Sequence, residues 1–237
     1  MKRLFVTALT AVCAATLVLS AQNPPATQTP PAVQTPPAVQ TPPAGQQQRP
    51  PQPPLGPNQW RIDGAHSAAN FSVRHLMVST VRGQLGRISG TLEYDGKDVR
   101  SIKADVSIDV NGISTQNDGR DKHLRSPDFF DVPNNPNITF VSKRVEPAGD
   151  GKFKLIGDLT IRGNTKEVVL DVDGPSPVVK GPRGLVTGAS ATTKIKRLEY
   201  GLKYNNMVEA GPVVGDEVTI TIDIEAGRPT APGTASQ

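Results

Sequence analysis

Cysteine is almost missing from this 237-residue chain: Cys13 is the only one. It sits in an apolar leader, so an internal disulfide and any C-x-x-C redox or zinc motif are excluded. Aromatic residues make up only 4% of the chain, so a core must be built mainly from aliphatic side chains. The chain contains no H-E-x-x-H, no glycine-rich phosphate loop and no G-x-S-x-G elbow, and no carboxylate pair is spaced for acid–base work. Excess charge of one sign is also scarce. Removing Lys2 and Arg3 from the 26 basic residues leaves 24 against 22 acidic ones, without the clustered basic excess that nucleic-acid binding requires. No cofactor, resident metal or nucleic-acid partner is expected.

What is present divides the chain into four parts. Lys2 and Arg3 precede an apolar stretch, Leu4 to Leu19, of 16 residues, short of the roughly 20 needed to span a bilayer. Leu19-Ser20-Ala21 follows as a small-residue cleavage site. Residues 1–21 are therefore expected to be an export signal, cleaved near Ala21, placing the protein in the periplasm or outside the cell. Retention as an anchor is the alternative. Residues 22–57 hold 13 of the 23 prolines in a Thr-Pro-Pro-Ala hexapeptide register. Such a segment favours extended polyproline II and reads as a disordered linker, reaching on the order of 110 Å. Residues 58–227 form one domain, and 228–237 a polar, disordered tail.

The domain reads as all-β. Ile102, Ala104, Val106, Ile108 and Val110 alternate with polar residues, as do Val218, Ile220, Ile222, Ile224 and Ala226, the period of strands with one buried face. Looser alternation marks 71–75, 88–94, 138–140, 153–161, 168–172 and 185–195. About eight antiparallel strands of this kind form either a two-sheet sandwich or a closed barrel, and period alone does not choose. Thr115 and Asp118 have capping-box spacing, predicting one short helix over about 116–124. Ser126 then caps a second helical turn with Pro127 at its first position, presenting Phe129 and Phe130, at least one of them toward the barrel or its rim.

The three histidines, His66, His75 and His123, admit a zinc reading, but none is spaced to place two ligands together locally. A structural role beside Asp63, Arg120 or Asp121 is preferred, with these charges forming an ionic cluster between the first strand and the helix.

Arg120-Asp121-Lys122-His123-Leu124-Arg125-Ser126-Pro127-Asp128-Phe129-Phe130-Asp131, followed by Asn137-Ile138-Thr139-Phe140, resembles the R-D-x-H-L-x-S-x-D-F-F-D…P-x-I-T-F signature of the YceI-like family of secreted bacterial proteins. Asp63-Gly64-Ala65-His66-Ser67 through His75, Gly157 to Lys166, and Val214 to Val218 are similar to further family motifs. The sequence departs from them at Asn164, where an apolar residue is usual, and at Leu198-Glu199-Tyr200-Gly201, which bears on the shape of the barrel mouth. The resemblance implies a lipocalin-like barrel that binds an isoprenoid or other long-chain lipid. The lining expected for it is Phe71, Val73, Ile102, Val106, Ile108, Phe140, Leu159, Ile161, Ile220 and Ile222. Phe129 and Phe130 would control entry, and Arg120 and His123 would meet a polar head group. Periodicity does not distinguish a hollow barrel from a filled one, so a non-catalytic structural or stress-protective envelope protein stays open, with an envelope enzyme third. Transient membrane contact is compatible with this reading, which defines no oligomeric state.

Overall fold

A computed structural model describes residues 53–208 and 211–229. The expected leader, residues 22–52 of the linker and residues 230–237 of the tail lie outside the described residues, whereas Arg228, expected in the tail, ends the last strand. β-Structure runs from Gln59 to Arg228.

The strands are β1 (Gln59–Ile62), β2 (Ala68–His75), β3 (Ser79–Gln84), β4 (Arg87–Glu93), β5 (Lys103–Asp109), β6 (Asn137–Gly149), β7 (Lys152–Ile161), β8 (Asn164–Asp173), β9 (Val179–Gly181), β10 (Gly184–Lys196), β11 (Met207–Val208), β12 (Gly211–Pro212) and β13 (Val214–Arg228). Antiparallel pairing runs β13-β1-β4-β5-β6-β7-β8-β10 and returns from β10 to β13, closing an eight-stranded barrel. Closure selects the barrel over the sandwich, and it removes the free edges of those eight strands. β13 is long enough to carry two partners on one edge: Ile62 pairs with Ala226, and β2 pairs lower down from Val214 to Asp223. β3 extends β2 outside the ring.

The seams are unequal. β10 and β13 are in register over twelve residue pairs and β7 and β8 over ten, whereas β8 and β10 share only three, Ser190–Asp173 to Thr192–Asp171. Beyond those rungs side chains do the joining. Thr193 Oγ1 donates to the Val169 carbonyl at 2.8 Å and Arg162 Nη1 to the Gly201 carbonyl at 2.8 Å.

The inward face is aliphatic, as the low aromatic content requires, and one glycine makes room for a ring. A Cβ on Gly157 would stand 2.6 Å from Phe140 Cζ, so only glycine lets that phenyl lie flat against β7.

Helix α1 (Asp118–Arg125) begins two residues later than the capping-box spacing predicts. Asn117, not Thr115, is the N-cap, accepting from the Arg120 amide at 2.9 Å. Thr115 is instead drawn to Asp121, whose Oδ1 accepts from its amide at 2.8 Å and its hydroxyl at 2.5 Å. The helix stops at Ser126, whose Oγ donates to the His123 carbonyl and accepts from the Asp128 amide. β1, β3 and β9 went unread in the sequence because they are short or carry few apolar residues.

Candidate ligand-binding site

Two cavities lie end to end inside the barrel, sharing Leu85, Ile138 and Ile220 in their walls. The inner one, about 130 Å³, is lined by aliphatic and aromatic side chains including Ile102, Val106, Ile108, Phe140, Leu159 and Ile222. Among the described residues, its only polar side chains besides the Trp60 and Tyr94 rings are Thr187 and Thr193. Their hydroxyls are engaged with the Ser176 and Val169 carbonyls. Space this size and this apolar stays dry when empty. At about 24 cal/mol per Å³, the void costs roughly 3 kcal/mol, a penalty that an alkyl or prenyl chain would offset. Trp60, fully buried, helps to close the far end. Its Nε1 donates to the Tyr94 carbonyl at 2.8 Å, and the Arg228 guanidinium lies 4.6 Å over its ring.

The outer cavity, about 260 Å³, differs in chemistry. Phe71, Val73, Phe129, Phe130 and Ile161 contribute apolar wall, but Arg74, His75, Arg120, His123 and Arg197 also line it, and no carboxylate does among the described residues. Arg197 is 2% exposed. Its Nε donates to the Gly215 carbonyl (2.8 Å), and its Nη atoms to the carbonyls of Leu202, Tyr204 (2.9 Å) and Val214 (2.9 Å). Burial lowers its pKa, the nearby Asp216 charge opposing this, yet an arginine stays charged at any ordinary pH. Arg120 is held by Thr115, through Nε to Oγ1 at 2.6 Å and Nη2 to the carbonyl at 3.0 Å. Burial disfavours ionisation of Asp121, but the Thr115 hydroxyl and amide, then Arg125 and Arg120, outweigh it and hold the carboxyl below the usual range. His123 stacks edge-on against Phe129 and Tyr204, with ring centres 5.1 and 4.6 Å away.

The expected ionic cluster between the first strand and the helix is divided. Asp63 accepts from the Ala65 amide and meets His66 Nδ1 at 3.1 Å and Arg183 at 3.3 Å. The first of these contacts, then His66, keeps its carboxyl below the ordinary value. Arg120 and Asp121 converge on Thr115, and no hydrogen bond or ion pair joins them to Asp63 among the described residues. His123 pairs with Asp128 at 2.9 Å rather than with Asp121. Asp63 turns back onto β13, where its amide donates to the Glu225 carbonyl, and that hydrogen bond directs it away from the helix. His66 also faces Glu225 at 3.6 Å, giving three groups within 4.8 Å of one another. Arg183 already supplies a cation there.

Every lining or mouth residue expected from the sequence borders one of the two cavities: Ile102, Val106, Ile108, Phe140, Leu159 and Ile222 the inner, Phe71, Val73, Arg120, His123, Phe129, Phe130 and Ile161 the outer, Ile220 both. Both adjacent phenylalanines are buried. Sequence reasoning missed Trp60 and Tyr94 at the closed end and Arg197 in the outer wall. Arg197 ends the run Lys194-Ile195-Lys196-Arg197, which reads as exposed basic surface; the signal that could have found it is the alternation Thr193, Ile195, Arg197, all three buried.

A sequence profile of the YceI-like domain matches residues 60–226. A UPF0312 protein of Staphylococcus aureus strain USA300 is 40% identical over 155 residues, 65% of this chain and 87% of its own length. The Campylobacter jejuni YceI protein is 31% identical in a crystal structure that superposes with a TM-score of 0.57, covering 66% of this chain and 90% of that one. A polyisoprenoid binding domain from Saccharophagus degradans, implicated in plant cell wall breakdown, shares the fold at 16% identity, with a TM-score of 0.55 over 72% of this chain and 98% of that one.

Proposed function

Because this chain belongs to the YceI-like family, we propose that its barrel sequesters or carries an isoprenoid or other long-chain amphiphile. The tail occupies the inner cavity and the polar head the outer one. The observation that carries this is the change in chemistry between two adjoining cavities, almost wholly apolar at the Trp60 end and arginine- and histidine-lined at the other. Burial of the tail supplies most of the affinity, about 25 cal/mol per Å² before ordering costs. The polyisoprenoid binding domain of the same fold supports the ligand class. The role is binding rather than catalysis, a reading that the polyisoprenoid binding domain of the same fold supports. The apolar leader and its cleavage site support export to the periplasm or beyond, with the proline-rich segment as a spacer before the barrel.

Mass spectrometry of organic extracts from protein purified without detergent tests the reading. A single long-chain lipid class in near-stoichiometric amount is expected. An extract without lipid, from protein that also fails to take up a prenyl lipid added afterwards, overturns it.

A further inference from the structure

At the arginine-lined end, the β2–β3 turn is made of residues its backbone disfavours. Leu76 and Met77 have φ of 50° and 56°, and the Val78 amide closes the turn onto the His75 carbonyl at 3.0 Å. Two consecutive positive φ values call for Asn, Asp or Gly. Instead the sequence places leucine and methionine there and valine next. Met77 is 55% exposed and Val78 80%. A solvated hairpin gains nothing from this choice in either conformation or hydration. Strain and exposed apolar surface found together at one tip point to function.

The tip does not stand alone. The Leu76 amide donates to the Val213 carbonyl, and the Val213 amide to the Asn206 carbonyl, each at 2.9 Å. That ties the turn to the β11–β12 hairpin, where Met207 is 72% exposed. Arg74, beneath the tip, donates to the Met77 carbonyl at 2.7 Å, the Val78 carbonyl at 3.2 Å and Thr80 Oγ1 at 2.9 Å. Two turn acceptors that would otherwise need water are thus satisfied by a cation, which removes the main cost of taking a turn into an apolar medium. The same arginine lines the outer cavity, as do His75 and Val213, so the apolar tip is continuous with the cavity's mouth.

We infer that the β2–β3 turn, with Met207 of β11 beside it, docks the barrel, mouth first, on a lipid bilayer containing anionic lipids, with Met77, Val78 and Met207 entering the interface and Arg74 at phosphate level. The inference deepens the lipid-carrier reading and rests on it for its purpose: a mouth seated in the bilayer lets a long-chain amphiphile pass without crossing water. A bilayer fits better than a protein groove because the tip is apolar, strained and backed by basic groups that match anionic head groups.

The test is flotation of the whole secreted chain with vesicles of phosphatidylcholine, with and without phosphatidylglycerol. Wild type is expected to float with both and more strongly with the anionic ones. Met77→Ser with Val78→Ser should weaken partitioning by roughly a hundredfold, about tenfold for each side chain. Leu76→Asn with Met77→Gly supplies the residues the turn prefers; it should raise the melting temperature yet still weaken flotation, which a merely structural role would not produce. Failure of wild type to float, or flotation of the Asn-Gly variant equal to wild type, overturns the inference. So does a wild-type dimer that the serine variant makes monomeric in the absence of flotation. Lipid extracted from the same samples reads the carrier function separately, so a lipid-filled protein that ignores vesicles is distinguished from an empty one.

Discussion

The side-chain amide of Asn164 donates to the Tyr200 carbonyl at 3.0 Å, so the two places where this chain departs from its family's signature touch one another. Asn164 opens β8, and Tyr200 ends the 3-10 turn Arg197–Tyr200 that follows β10. The same amide nitrogen lies 3.0 Å from the Arg162 carbonyl. Burial, reinforced by Glu199, pushes the Tyr200 phenol up to about 12. The phenol therefore stays neutral, while the group that accepts from Asn164 is the Tyr200 backbone carbonyl.

Asn164→Val puts the usual apolar residue in this position and removes both contacts. A loss of about 1 kcal/mol is expected, read as a lower urea midpoint with an unchanged slope. An unaltered midpoint would show that the contact closes nothing.

Val106→Trp or Ile222→Trp fills the inner cavity. Each should abolish lipid recovery in organic extracts while the far-ultraviolet circular dichroism keeps its β signature, at a stability cost of about 1–3 kcal/mol from overpacking. Lipid surviving both substitutions would place the ligand outside this space.

Asp121 links stability to pH. Its carboxyl is held below the ordinary value in the folded protein, so its contribution is present in full above the unfolded value near ~3.9 and is lost as pH falls through the folded one. Asp121→Asn should therefore flatten the acid limb of the stability profile below about pH 4. At neutral pH, Asp121→Ala should cost roughly 2–3 kcal/mol, because it removes hydrogen bonds to a charged group and strands Thr115. Native stability with lost lipid binding would instead assign the Thr115–Arg120–Asp121 group to the ligand.

Trp60 is the only tryptophan, and it lines the closed end of the inner cavity. A lipid brominated at the tail terminus should quench its fluorescence strongly, and one brominated beside the head group weakly. The reverse order would mean that the amphiphile enters head first.

Much of this was legible before any coordinates. Ile102–Val110 and Val218–Ala226 alternate so strictly that a half-buried strand is the only economical reading; β5 covers the first run except its two ends, Ile102 and Val110, and β13 covers all of the second. Barrel closure was not legible from period, because it depends on β1, at the start of the domain, pairing with β13 at its end, Arg61 opposite Gly227. Arg120 and His123 were placed at the mouth by resemblance. Arg197 escaped notice because a buried guanidinium satisfied by backbone carbonyls has no local sequence partner to betray it. The helix begins later than Thr115 for a related reason: Thr115 has the spacing of a cap, but its hydroxyl oxygen accepts from Arg120 Nε and its hydrogen goes to Asp121, leaving Asn117 to accept from the helix amide.

The three-rung seam between β8 and β10 is one of the short joints of the barrel, with β1–β13 and β1–β4, and the one that side chains reinforce through Thr193. Along the longer ladders the joining is done by backbone groups, which no substitution other than proline removes. Here the weld is made by a threonine hydroxyl, an arginine and an asparagine amide, and each is one substitution away from being cut or strengthened. Descent within the family thus has a place to adjust aperture without refolding the cylinder, and a designer wishing to widen or clamp this vessel would begin at Thr193, Arg162 and Asn164.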